Sequence, residues 1–271
     1  MKKIRLRECQ IFKLKFFTQI ALCGLLALLV SCGGSKDKHL ARGEEYLQKR
    51  KFHEAVMEFR AADIDRGSAA AHRGLARAFE HLEQFNEALE ELRKTSELAP
   101  ENLEAKTKLG NYYLLVSPPM IAETEKILEE VFAKNAGFIE GHVLKASLFD
   151  TQKKSEKEVL DVLNQAIALD PSRTESYISL ARFFMKHEKA AEAESALTKG
   201  ISVNPNAALG FIEYGRFLVF ADRSNDAEAQ FKKATDAEPK NFEARAAIAE
   251  YYVAQKNYEK AEIACKDLVQ I

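Results

Sequence analysis

Six histidines and four cysteines are the side chains of this 271-residue chain with the widest range of chemistry open to them. His39, His53, His72, His81, His142 and His187 are of the type that ligates metals or moves protons. None has a second His or a Cys at ligand spacing, and no H-E-x-x-H pattern occurs. His142 falls at a bulky column of the helical pattern described below, so it reads as a packed histidine. No Ser stands in a G-x-S-x-G turn, and no G-x-x-x-x-G-K-[ST] loop is present to cradle phosphates. The acidic pairs Glu90-Glu91 and Glu129-Glu130 read as solvated helix faces. Acid–base, nucleophilic and metal-binding groups are thus scattered rather than assembled. The expectation is a chain that is not an enzyme, with no cofactor and no metal. The thiols divide unevenly: Cys9, Cys23 and Cys32 crowd the N-terminus, and Cys265 stands alone near the other end.

The segment around the first three thiols has its own logic. Lys2, Lys3, Arg5, Arg7, Lys13 and Lys15 face a single acid, Glu8, and an apolar run then extends from Ile20 to Val30. That run falls well short of the about 20 residues needed to span a bilayer core. A basic start followed by a short apolar run is the layout of a secretory signal peptide. The run ends in Leu29-Val30-Ser31-Cys32-Gly33-Gly34-Ser35, which resembles a bacterial lipobox. The resemblance implies cleavage before Cys32 and lipidation of its thiol. Small residues suit the peptidase cleft, and a thiol is the atom that accepts the diacylglyceryl group. Residues 1–31 are then a lipoprotein signal peptide, 32–37 a lipidated linker, and 38–271 the folded part. Several acyl groups on one residue give stable membrane attachment, whereas one chain is marginal. Gly33 rather than Asp after Cys32 favours an outer-membrane location facing the periplasm, with lipid such as palmitate as the anchor.

Composition agrees with an exported, soluble, helical body. Lys plus Arg number 40 against 41 acids, and loss of the leader would leave 34 against 40. A mildly acidic surface gives no reason to expect nucleic acid as a partner. With 12 Gly, 6 Pro and no Trp, a strand-and-turn-rich fold is disfavoured, while the apolar share of 46% is ample for a packed core. Once Cys9 and Cys23 leave with the signal and Cys32 carries lipid, Cys265 has no thiol to pair with.

The elements that must position any site are set by a repeat. Pro171, Pro205 and Pro239 are spaced by 34 residues, and so are Ala193, Ala227 and Ala261. The same spacing holds for Ala181, Gly215 and Ala249, for Phe184, Leu218 and Tyr252, and for Leu197, Phe231 and Cys265. A small residue, an aromatic, an Ala, a large residue and a Pro in this order resemble the tetratricopeptide repeat (TPR). Upstream the phase continues through Gly43, Tyr46, Ala55 and Phe59, and through Ala76, Phe79, Ala88, Leu92 and Pro100. It slips by one residue at Asp65-Arg66-Gly67-Ser68, and the turn at Ser117-Pro118-Pro119 is about two residues longer than the repeat requires. Thr124 replaces the second-helix Ala of the third unit, and Val159 that of the fourth.

The resemblance implies an all-α fold, a right-handed superhelical solenoid of antiparallel helix pairs, about seven TPR units in all. Small residues would let the two helices of a unit approach, and each pair would bury its remaining apolar face on the next. Asp170-Pro171-Ser172 and Asn204-Pro205-Asn206 offer side chains to cap helices, and Cys265 in a core column is expected to be buried and inert.

In TPR proteins first helices line a groove, and the position after the small residue faces it. Here that row is Glu44, Arg77, Asn111, Ser147, Arg182, Arg216 and Glu250. Beside Arg182 and Arg216 the same face would show Ile178, Met185, Ile212, Val219 and Phe220. Arginine among apolar side chains suits capture of a peptide or envelope protein, since its forked guanidinium binds carboxylates and its neighbours supply area. Asn111 with Arg73 and Arg77 approximates the family's carboxylate clamp without completing it.

Leu-Gly-Asn-Tyr-Tyr at 109–113, Gly-Arg-Phe-Leu at 215–218 and Ala-Glu-Tyr-Tyr-Val at 249–253 resemble TPR lipoproteins of exosortase/PEP-CTERM and exopolysaccharide systems. Size and layout also resemble pilotin lipoproteins of type IV pili. The expected role is a membrane-anchored protein–protein interaction scaffold of the bacterial cell envelope, with a periplasmic chaperone or adaptor as a further alternative. The last unit ends at Ile271 without a solvating helix. That apolar end is expected to be covered by a partner or a second copy, or to continue into a longer array.

Overall fold

The computed structural model describes residues 36–63 and 67–269. The leader, Cys32 and the junction residues 64–66 lie outside them. Fourteen α-helices and no strand are present among the described residues. Helix α1 covers 36–48. The others are α2 (Phe52–Ala62), α3 (Ala69–His81), α4 (Phe85–Leu98), α5 (Leu103–Leu115), α6 (Ile121–Lys134) and α7 (Ile139–Thr151). They continue with α8 (Glu156–Leu169), α9 (Thr174–Lys186), α10 (Ala190–Val203), α11 (Ala208–Phe220), α12 (Ser224–Ala237), α13 (Phe242–Ala254) and α14 (Tyr258–Val269). The chain forms two compact units that meet in sequence within α5, the first up to Tyr112 and the second from Tyr113.

In both units odd and even helices pair, as α3 with α4 and α9 with α10; within the first unit α2 packs on α3, and within the second α6 packs on α7, α8 on α9, α10 on α11 and α12 on α13. This is the all-α helical-repeat solenoid that the periodicity implies. The second-helix small column is its closest seam: Ala55, Ala88, Thr124, Val159, Ala193 and Ala227 are at most 1% exposed. Thr124 fits there because its hydroxyl is spent on its own helix, donating to Met120 O at 2.9 Å. In the first unit the Phe59 ring fills the space against Gly43 of α1 and Gly74 of α3. In the second, Phe231 fills the equivalent space against Gly215.

One turn joins the two helices of nearly every pair. The carbonyl of the aromatic-column residue accepts from the N–H five residues on: Tyr46 from Lys51, Phe79 from Gln84, Phe149 from Lys154, Phe184 from Lys189, Leu218 from Arg223 and Tyr252 from Asn257, at 2.8–2.9 Å. The residue before each donor is left-handed, with φ between 54° and 59° at Arg50, Glu83, Lys153, Glu188, Asp222 and Lys256. This is the Schellman closure of a helix C-terminus, built with charged residues where glycine is usual. At the third pair the acceptor is Tyr113 and the donor Met120, at 2.8 Å, across the longer Ser117-Pro118-Pro119 turn.

Capping differs from expectation. Asp170 and Asn204 do not cap the following helices, whose N-cap residues are Arg173 and Ala207. Asp170 accepts instead from the backbone N–H and hydroxyl of Ser172, which closes the turn locally. Side-chain caps are supplied by Ser68 on α3, Ser155 on α8 and Asn241 on α13. Ser155 forms a reciprocal capping box with Glu158.

Cys265 is exposed, contrary to its column. Phe231, one repeat earlier, lies between α11 and the Tyr251 ring of α13, whose centroid is 5.4 Å away. Cys265 has α13 on one side and no described helix beyond α14 on the other.

Candidate protein-interaction site

In the first unit the row begins with Arg77, whose guanidinium meets both oxygens of Glu44 at 2.8 and 3.0 Å across one repeat. Next to it Lys108 donates to Glu80 at 2.6 Å and the Tyr112 hydroxyl to the same carboxylate at 2.9 Å. Burial, with Glu80 beside it, pushes the Tyr112 phenol well above its usual range. His81 stacks on Phe52 with centroids 4.4 Å apart, and Arg50 lies over the Phe52 ring at 5.2 Å. Burial lowers the His81 pKa first, and Arg50, Arg77 and Lys108 add to it. The neutral imidazole is favoured, and its flat face stacks on the Phe52 ring. Asn111 is half-buried on α5, so the clamp-like trio of Arg73, Arg77 and Asn111 shares this unit, with Arg77 already engaged by Glu44.

In the second unit Arg182 and Arg216 converge on one carboxylate. Arg182 meets Glu213 at 3.1 Å and Arg216 meets it at 2.7 Å, while Arg216 also approaches Glu243 at 3.6 Å. Glu213 is largely buried beneath the two guanidiniums, and Arg182 remains 66% exposed. Each arginine thus keeps donors for an incoming carboxylate, and exposure limits what each existing pair contributes.

The apolar neighbours behave unequally. Phe220 is 72% exposed, and Met185 and Val219 are half-buried. Ile178 and Ile212, expected on the open face, are buried at 4% and 0%. The reason is that successive first helices touch, α9 with α11 and α11 with α13. The position three before the small residue falls into that seam instead of facing outward. The second-unit surface is therefore Arg182, Arg216, Met185, Val219 and Phe220, with Ser147 hydrogen-bonded back to Val143 O.

One buried polar constellation was not foreseen. His72, 6% exposed, sits between Asp63, 3.1 Å from Nε2, and Glu91, 2.5 Å from Nδ1. Glu91 is thus not on a solvated face; only its partner in sequence, Glu90, is, paired to Arg93. The pair repeats one unit earlier, where His39 meets Glu58 at 2.6 Å. The 19-residue His–Glu separation common to both is the sequence signal that finds it. His142 is packed as expected, tilted against Phe132 at 4.9 Å with Nε2 bonded to Ala136 O. No cluster of three or more potential metal ligands occurs among the described residues.

Stacked helix pairs with an open polar and apolar face define a helical-repeat protein. Residues 40–102 and residues 221–271 each match the tetratricopeptide repeat family. The fold is similar to that of a tetratricopeptide repeat protein from Parabacteroides merdae, at TM-score 0.61 and 16% identity over 80% of this chain and 84% of that one. It is also similar to Pseudomonas aeruginosa pilF, at TM-score 0.50 and 18% identity over 81% of this chain and 99% of that one. A chain of the APC/C heterotetramer Cut9–Hcn1 matches at TM-score 0.52 and 16% identity, over 80% of this chain and 42% of that one. No curated protein matches. Residues 40–102 and 221–271 thus carry tetratricopeptide repeats, and the fold over about four fifths of the chain is similar to that of tetratricopeptide repeat proteins.

Proposed function

We propose that this protein is a non-catalytic scaffold, held to a bacterial envelope membrane by lipid on Cys32, that gathers partners of an assembly or export system such as the exosortase and exopolysaccharide systems. The observation that carries the binding reading is the pair of exposed guanidiniums, Arg182 and Arg216, held on Glu213 beside Phe220, Val219 and Met185. Such a surface offers guanidinium forks for acidic side chains and apolar area for the rest of a contact. The anchor rests on the Leu29-Val30-Ser31-Cys32 sequence. No helix among the described residues is long and apolar enough to cross a membrane. The partner is an envelope protein or peptide; nucleic acid does not suit a chain with this charge balance.

Two measurements test the parts separately. Growth with an alkyne-palmitate analogue should label the wild type and not Cys32→Ala; label retained in the variant refutes the anchor. Affinity purification from detergent-solubilised envelope should recover partners with the wild type and lose them with Arg182→Glu/Arg216→Glu at unchanged helicity. Undiminished recovery by that double variant refutes the arginine surface. A second reading, a pilotin-like assembly lipoprotein, draws support from the fold similarity to pilF over nearly its whole length.

A further inference from the structure

The second helices of the second unit offer a site of a different kind from the arginine surface. Between α8 and α10, above α9, lies a cleft of ≈ 750 Å³. Its volume is within the range of pockets that take ligands or side-chain clusters. Leu180 and Phe184 of α9 and Ile167 of α8 give it an apolar floor, and Glu192, Ser195 and Lys199 of α10 edge it. Glu192 and Lys199 are two helical turns apart, so they stand on one face with about 10 Å between them. Among the described residues neither has an ion-pair partner, whereas Lys260 and Asp267 at the equivalent places two repeats on are both paired.

The comparison with the following repeats is informative. Two repeats on, a cleft of ≈ 540 Å³ is lined by the matching residues Ile248, Tyr252, Lys260, Ile263 and Asp267. There the charges are satisfied within the chain, Lys260 by Glu228 at 2.8 Å and Asp267 by Arg245 at 3.9 Å. At the repeat between, the matching residues are Asp226 and Lys233, and the Asp226 carboxylate is already paired to Arg223 at 3.0 Å. Of the three places, the α8–α10 cleft joins an apolar floor to two opposite, unspent charges.

We propose that this cleft takes an amphipathic helix of another protein, lying antiparallel to α10 and carrying an acidic residue followed seven positions later by a basic one. Antiparallel placement sets the start of the incoming helix near Lys199 and its end near Glu192. An acid early and a base late in a helix also agree with the helix dipole. Apolar residues three and four positions after the acid share its face and reach Leu180 and Phe184. Recognition is then helix-in-groove, with charge order selecting the direction.

The test uses the full chain and two fluorescein-labelled 14-residue helical peptides in an alanine and glutamine host. The first has glutamate at its fourth position, leucines at the seventh and eighth and lysine at the eleventh; the second exchanges the two charges. By fluorescence anisotropy the first peptide should bind about tenfold more tightly than the second, from two charge pairs at the rim changing the sign of their interaction. Glu192→Lys/Lys199→Glu should invert that preference, and Lys260→Glu/Asp267→Lys should leave it as it was. These residues are exposed, and far-UV circular dichroism checks that each variant keeps its helices. Equal binding of the two peptides, no binding of either, or a preference that follows the second pair of substitutions instead of the first overturns the proposal.

Discussion

Substituting Gly74 by Ala tests how the first unit is packed. In an exposed helix interior this change adds about 1 kcal/mol of stability, since alanine is the better helix former. Here a Cβ on Gly74 would stand 2.4, 2.5 and 2.6 Å from three atoms of the Phe59 ring. Carbon atoms prefer about 3.5–4.0 Å, so the ring would have to retreat by more than about 1 Å. It has no room to retreat, because the same ring lies 2.6–2.8 Å from the corresponding point on Gly43 of α1 and is 0% exposed. Overpacking of this degree costs up to about 3 kcal/mol, which leaves a net loss of about 2 kcal/mol after the propensity gain. For a unit of this size that is a fall of about 10 °C in its unfolding midpoint. Urea and thermal unfolding followed by circular dichroism at 222 nm provide the measurement. In the Phe59→Leu background the same Gly74→Ala change should become neutral or stabilising, because a smaller side chain vacates the contact. A stabilising Gly74→Ala in the wild type, or an equal cost in both backgrounds, would refute the wedge.

Three further outcomes follow from other positions. Lys256 has φ 56°, so Lys256→Gly should stabilise the second unit by roughly 0.5–1 kcal/mol in urea unfolding, by relieving a left-handed backbone. The Glu228 carboxyl is held down at about 2 from 4.5 by hydrogen bonds from Lys232 and Lys260, with Tyr252 adding a third. A folded-state pKa below the unfolded one stabilises the fold above about pH 4.5, and that contribution is lost as pH falls toward 2. Carbon-13 NMR should place the Glu228 midpoint below that of an ordinary glutamate, and Glu228→Gln should flatten the fall of stability across that window. Cys265 should react fully with maleimide under native conditions, as an exposed thiol does; protection would show that another chain covers α14.

The fold was legible because its columns are packing constraints. The spacing of Ala193, Ala227 and Ala261 records where two helices touch, and those residues are buried. The longer Ser117-Pro118-Pro119 turn was legible too, and it closes on the same aromatic-column carbonyl as the shorter ones. What stayed hidden depends on neighbours that a single column does not name. Ile178 and Ile212 look outward on one helix and are buried only because the next first helix covers them. Cys265 looks inward by analogy with Phe231 and is exposed because no described helix follows. Glu91 looks solvated beside Glu90, yet it turns inward to His72 across the helix pair. The capping role of Asp170 failed for a similar reason, since a local turn with Ser172 takes the same side chain.

The ion pairs that link one repeat to the next bear on folding fidelity. A chain of look-alike segments risks assembling them in the wrong order, with one segment skipped or exchanged between two molecules. Apolar columns offer little defence, since the segments are interchangeable there. The junction charges are not interchangeable. Arg182 finds Glu213 on the following first helix, whereas the same position of the third repeat is Lys108, which turns to Glu80 instead. Were the third repeat to follow the fifth, Arg182 would meet a lysine. That wrong order would set like charges together where the correct neighbour sets opposite ones, so this junction favours its own sequence of repeats.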